Sequence, residues 1–247
     1  MRWSLSEVWR ALTGVQTEPP GWAVLLVALV ALAVVVWSTS WQLSRGLVTI
    51  AHEGGHALMA LLTRRKLQGI RLHSDTSGVT LTRGRPTGPG MILTAASGYV
   101  APSLLGLGGA WLVSSGHVTA LITVVLGLLL CMLLLIRNLF GVVSLLATGG
   151  AIFALTWYSP PDVDAVLAQL AVWFLLFGGV RPILELRRKR RYGRTPDSDA
   201  DQLARLTGLP AGFWIFLFLL VALACLAVGA WLLSPLQLPS SLSSLLR

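Results

Sequence analysis

The chain has 247 residues, 55% of them hydrophobic and 12% charged, with a mean hydropathy of +0.75. A water-soluble domain carries about 25% charged residues, so the composition excludes an ordinary soluble protein and makes lipid the main solvent. The net charge of +9 does not argue for a nucleic-acid partner, because Lys and Arg of membrane proteins gather in cytoplasmic loops and set orientation.

Residues 1–15 are too polar for the apolar stretch of a signal peptide. Trp3, Leu5, Val8, Trp9 and Leu12 fall on one helical face, so 1–20 reads as an N-terminal interfacial segment. A spanning helix needs about 20 mostly apolar residues. Stretches that qualify run from Gly21 to about Trp41, Leu43 to Thr63, Pro89 to Val113, Val118 to Ile136, Asn138 to Trp157 (interrupted by Gly149 and Gly150), Ala165 to Val180, and Leu209 to Leu233. The expected fold is an all-α polytopic membrane protein of about seven transmembrane helices with a small cytosolic-side β-hairpin. Its parts are a membrane core over 21–180, a basic cytosolic loop over 181–208, and a last span with a C-terminal tail over 209–247.

The hairpin is expected at 67–83. Ile70 and Leu72 alternate with Arg71 and His73, Ser74–Gly78 reads as a turn, and Val79 and Leu81 alternate with threonines. Cys131 and Cys225 lie in apolar runs and read as buried hydrophobes. Arg187–Arg191 reads as an anchor against anionic lipid. If the segment before the first span is cytosolic, only Arg45 and Arg247 fall on the far side. That partition predicts a cytoplasmic N-terminus and an odd number of spans.

The second span holds His52-Glu53-Gly54-Gly55-His56 where lipid-facing residues are expected. Ionisable groups in a spanning helix are costly and mark function. Residues i and i+4 share a helix face, so His52 and His56 can present two imidazoles to one zinc ion. Glu53 is placed to act as general base on a zinc-activated water. Gly54 and Gly55 weaken the helix; they fit either close helix packing or close approach of a substrate to the metal.

The motif in a span, the basic Arg64-Arg65-Lys66 after it, the hairpin-like 67–83 and the glycine-rich span that follows resemble the site-2 protease family of intramembrane zinc metallopeptidases. The resemblance covers about residues 43–150. It implies a zinc endopeptidase that cleaves membrane-embedded protein substrates in the lipid bilayer, in a bacterial cell membrane. Helical backbone in lipid is fully hydrogen-bonded, so the scissile segment must unwind, and an extended substrate can add as a strand to the hairpin edge.

That family takes its third ligand from an aspartate in a segment resembling N-x-x-P followed by L-D-G. Here Gly141 stands in place of the proline after Asn138, and Thr148 in place of the aspartate. Threonine is a poor zinc ligand, so another carboxylate is sought. Asp162 and Asp164 fall on the far side. The run Asp197-Ser198-Asp199-Ala200-Asp201 precedes the last span on the motif's side, and its centre, Asp199, is the candidate third ligand. The same run also fits an N-cap for a helix over about Gln202–Thr207. Asp75, His73 or an open site with two histidines are alternatives. Beside the protease, two other functions fit the sequence: a catalytically inactive pseudoprotease acting as a membrane adaptor, motivated by Thr148, and a metal-handling transporter.

Overall fold

The computed structural model describes residue 9 and residues 13–16, 19–193 and 197–234. The expected interfacial helix falls mostly outside the described residues, as does the tail from 235. Among the described residues there are eight helices: α1 (Gly21–Val36), α2 (Ser38–Leu62), α3 (Pro89–Ser114), α4 (Val118–Leu135), α5 (Leu139–Tyr158), α6 (Pro161–Arg191), α7 (Asp199–Thr207) and α8 (Ala211–Leu232). Also among the described residues, one antiparallel hairpin, β1 (Lys66–Leu72) and β2 (Gly78–Arg83), lies between α2 and α3.

The polytopic all-α architecture is as expected, but the span count differs. Five helices (α3, α4, α5, α6 and α8) are individually long and apolar enough to cross a membrane, and α1 and α2 meet at a 98° bend. Counting that pair as one broken span gives six, not seven. Trp37, with ψ 131, takes extended backbone and ends α1. The two glycines expected to interrupt the fifth span do not; α5 is continuous through Gly149 and Gly150. The stretch 181–208 is no open loop: α6 runs on to Arg191, and α7 follows, capped by Ser198.

Hydrogen bonds fix which ends lie together. Gln16 N–H donates to Gly116 O at 2.9 Å, and Gln16 Nε2 donates to Thr119 Oγ1 at 2.8 Å. Residues 14–16 therefore sit at the α3–α4 connection, the end of α3 remote from the hairpin. At the other end of α3, a Cβ on Gly90 would lie 3.3 Å from Thr63 Cβ, so α2 finishes on the hairpin side. Between residue 16 and Thr63 the chain passes once from one end of α3 to the other. The two stretches read as separate spans form one bent pair, and residues 14–16 lie at the end of α3 away from the hairpin; a sharp bend is invisible to a hydropathy window. Single cysteines at Gly14 and Ser115, in a Cys131→Ser, Cys225→Ala background, should label from one side of the membrane, and a cysteine at Asp75 from the other. Labelling of Gly14 together with Asp75 would refute this placement.

Three apolar clusters hold the bundle. One joins α1, the start of α2, the end of α3 and the middle of α6, around Trp41, Val48, Val113 and Leu176. A second joins the start of α3, the end of α6, α7 and α8, around Ile183, Leu203 and Phe218. The third joins α2, β1, α4 and α5, around Ile50, Ile70, Met132 and Leu145. The outer faces of α4, α5 and α8 are apolar and exposed, as in Leu134, Leu155 and Phe216, and suit lipid.

The hairpin alternates as its sequence predicts: Ile70 and Leu72 are buried and Arg71 exposed. The pairing slips between Leu67 and Gly69, where Gly69 takes φ 146, a value that favours glycine. The outer edge of β1 is occupied. Arg137 N–H donates to Ile70 O at 2.8 Å, and the Asn138 amide accepts from Leu72 N–H at 3.1 Å and donates to Leu72 O at 2.6 Å.

Candidate metal centre

On α2, the residues 52 and 56 face α3 and α7, while 49 and 53 face the hairpin. His56 Nε2 lies 3.1 Å from His52 Nε2. Asp199 Oδ2 lies 3.2 Å from each of the two nitrogens. The structure thus brings together the two histidines and the chosen aspartate as a group able to hold a metal ion. The triangle fits zinc: tetrahedral bonds of about 2.0–2.1 Å place ligand atoms about 3.3 Å apart.

Chemistry of the donors supports the same fit. His56 Nδ1 lies 2.6 Å from Thr94 O. A carbonyl oxygen only accepts, so Nδ1 carries the proton and Nε2 of the neutral ring presents a lone pair. That lone pair faces a second imidazole nitrogen and a carboxylate oxygen that is buried without a hydrogen-bond partner. Three donors converging in this way repel one another unless a cation lies between them. One proton can bridge only one pair of them; one metal ion serves all three.

Asp199 reaches this point because α7 is a short helix pinned from both sides. Its Ser198 hydroxyl accepts from Asp201 N–H at 3.4 Å and donates to Asp201 Oδ2 at 2.6 Å. Arg190 at the end of α6 pairs with Asp201 Oδ1. Ala200 and Leu203 bury themselves against α3 and α8. Neighbouring residues thus face different ways: Ser198 caps the helix, and Asp199, its first residue, points to the histidines.

Close approach of α3 to α2 depends on small residues. A Cβ on Gly98 would overlap the His56 ring and stand 2.7 Å from His52 Cε1. One on Gly55 would overlap Ala101 and stand 2.9 Å from Ser97 O. Gly55 therefore serves helix packing, whereas Gly54 meets only Met132 Sδ, at 3.9 Å. Gly98 and Tyr99, whose ring stands edge-on to His52 with centroids 4.8 Å apart, were not singled out by sequence reasoning; a glycine in a glycine-rich span gives no signal of its own.

Glu53 is buried and lies under β2, where Thr80 Oγ1 donates to its Oε2 at 2.6 Å. The alternative ligands are employed elsewhere. Asp75 is exposed and accepts from Ser77 N–H and Oγ at 2.9 and 2.6 Å. These bonds hold its carboxyl below its ordinary value. His73 contacts Ser77 Oγ at 3.2 Å. Thr148 sits on α5, whose main neighbours are α4 and β1.

One edge of the hairpin is open. Ile70 and Leu72 turn their backbone groups outward to Arg137 and Asn138, and their partners in register are Thr80 and Gly78. In an antiparallel ladder both members of such a pair point away from each other. Gly78 and Thr80 therefore present N–H and C=O groups to the free side of β2, beside Glu53.

No curated protein and no solved structure matches the chain. Among protein families, the one described as Peptidase M50B-like matches residues 25–229, which include α2, the hairpin and α7. The match extends well past the stretch 43–150 in which the resemblance was legible. It supports a membrane metallopeptidase kind of function, and the chain belongs to the Peptidase M50B-like family.

Proposed function

We propose that the protein is an intramembrane zinc endopeptidase that hydrolyses peptide bonds of membrane-embedded protein substrates. The observation that carries this reading is the convergence of His52 Nε2, His56 Nε2 and Asp199 Oδ2 at 3.1–3.2 Å. His52, His56 and Asp199 would hold the ion. Zinc at such a site polarises water and carbonyl oxygens and brings a water's pKa to about 7. Glu53, the residue after the first ligand, takes the water's proton and returns it to the leaving amine. The Thr94 carbonyl keeps the His56 ring turned to the metal. An unwound substrate segment adds along the open edge of β2, which lines it up beside Glu53.

The hairpin, the α4–α5 connection and α7 share one face, which carries Arg64, Arg65, Lys66, Arg71, Arg83, Arg85, Arg137 and the Arg187–Arg191 run. The opposite face has no Lys or Arg among its described residues. By the positive-inside rule the hairpin face is cytosolic. This reading puts residues 14–16 on the non-cytosolic side of what we take to be a bacterial cell membrane.

The test is zinc content of the detergent-purified protein. About one zinc per chain, lost in His56→Ala, is the expected result; a wild type that takes up no zinc on reconstitution would leave the histidines structural and the adaptor reading the better one.

A further inference from the structure

We infer that β2 sets the working position of the base: Thr80 is a positioning residue for Glu53, and Gly78 keeps the carboxylate's second oxygen clear. The inference rests on the hydrolytic reading of the site.

Thr80 Oγ1 lies 2.6 Å from Glu53 Oε2 and 3.1 Å from the Glu53 backbone oxygen. A hydroxyl has one proton to give, and the shorter, charge-assisted contact takes it. Glu53 is 4% exposed, and among the described residues no other side chain donates to its carboxylate. A glutamate has several rotatable bonds, so this one donor selects its rotamer. With Oε2 held, Oε1 keeps its lone pairs for a water.

Gly78 governs the space around Oε1. A Cβ there would stand 2.6 Å from Glu53 Cγ and 2.8 Å from Oε1. Any other residue pushes the strand off α2 or turns the carboxylate away. The strand itself is fixed by bonds independent of Thr80. Thr49 Oγ1 donates to Thr76 O at 2.7 Å, and Asn138 grips Leu72 on β1. The position of β2 is thereby transmitted to the base through a single hydroxyl. Because the Thr80 backbone faces the open edge, a strand added there pairs with the residue that holds the base.

The experiment uses the full chain in detergent, with Thr80→Val, Thr80→Ser, Thr49→Val and Gly78→Ala. Two readouts are taken. The first is kcat and KM, with zinc content, on a fluorogenic single-span reporter peptide whose middle carries Gly and Pro. The second is the infrared carboxylate band of Glu53 in metal-free protein, isolated by subtracting the Glu53→Gln spectrum. Loss of a hydrogen bond to a charged group predicts a kcat about 10–100-fold lower in Thr80→Val, with KM and zinc unchanged. Thr80→Ser should restore kcat to within about threefold, and Thr49→Val should stay near wild type. Gly78→Ala should lower kcat as Thr80→Val does. The Glu53 band should move in Thr80→Val and not in Thr80→Ser. A wild-type kcat and an unmoved band in Thr80→Val would overturn the inference. So would equal damage in Thr80→Ser or Thr49→Val, which would make the effect one of hairpin docking. If the wild type itself fails to cleave, the hydrolytic reading fails, and the infrared result still reports on the Thr80 contact.

Discussion

Glu53→Gln is expected to lower peptide cleavage by about 10²–10⁴-fold while the protein keeps the zinc content of the wild type. The two halves of this result follow from different geometry. Glutamine has nearly the shape of glutamate and still accepts from Thr80 through its amide oxygen, so packing under β2 survives. It cannot take a proton from water. Glu53 lies outside the triangle of His52, His56 and Asp199, so the metal stays. Loss of zinc in Glu53→Gln would place the carboxylate among the ligands and refute its assignment as base. Undiminished cleavage would exclude the proposed chemistry. If a strain lacking the protein is rescued by Glu53→Gln, the adaptor reading gains what the protease reading loses.

Asp199→Ala is expected to abolish stable zinc binding and, with it, cleavage. Removing a hydrogen-bond partner of a ligand costs about 10–100-fold in affinity, and removing a ligand itself should cost more. Two imidazoles would remain, with Nε2 atoms 3.1 Å apart, too few donors for a closed site. Asp201→Ala separates ligation from folding of α7. It removes the pairing with Arg190 and the bond from Ser198 but no ligand. Asp201→Ala should therefore retain most of the zinc, by titration of metal-free protein with zinc against a competing chelator. Equal loss in the two variants would mean that α7 acts only as a scaffold. Full retention of zinc in Asp199→Ala would return the third ligand to another residue.

The sequence by itself determined what depends on neighbours along the chain. Composition determined the solvent, because charge is excluded from lipid wherever the helices end up. The i, i+4 spacing determined that His52 and His56 share a face, because helical geometry alone puts them there. Alternation determined the hairpin, since period two is a local property of strands, and Ile70 and Leu72 turned inward as it required. The aspartate run was legible as both a cap and a ligand source.

Only the tertiary structure decided the rest. Hydropathy counts apolar residues and does not sense direction, so α1 and α2 read as two spans, whereas the structure bends the pair by 98° and ties Gln16 to Gly116 at the far end of α3. Sequence could place Asp199 on the motif's side and offer Ser198 as a local cap, but its arrival within 3.2 Å of both histidines depends on the burial of Ala200 and Leu203 against α3 and α8, packing that no local pattern encodes. The same holds for Gly98, Thr94 and Thr80. Each is an ordinary residue in its own helix or strand, and each acquires a role only because another element packs against it at a distance that side-chain volume, not local pattern, allows.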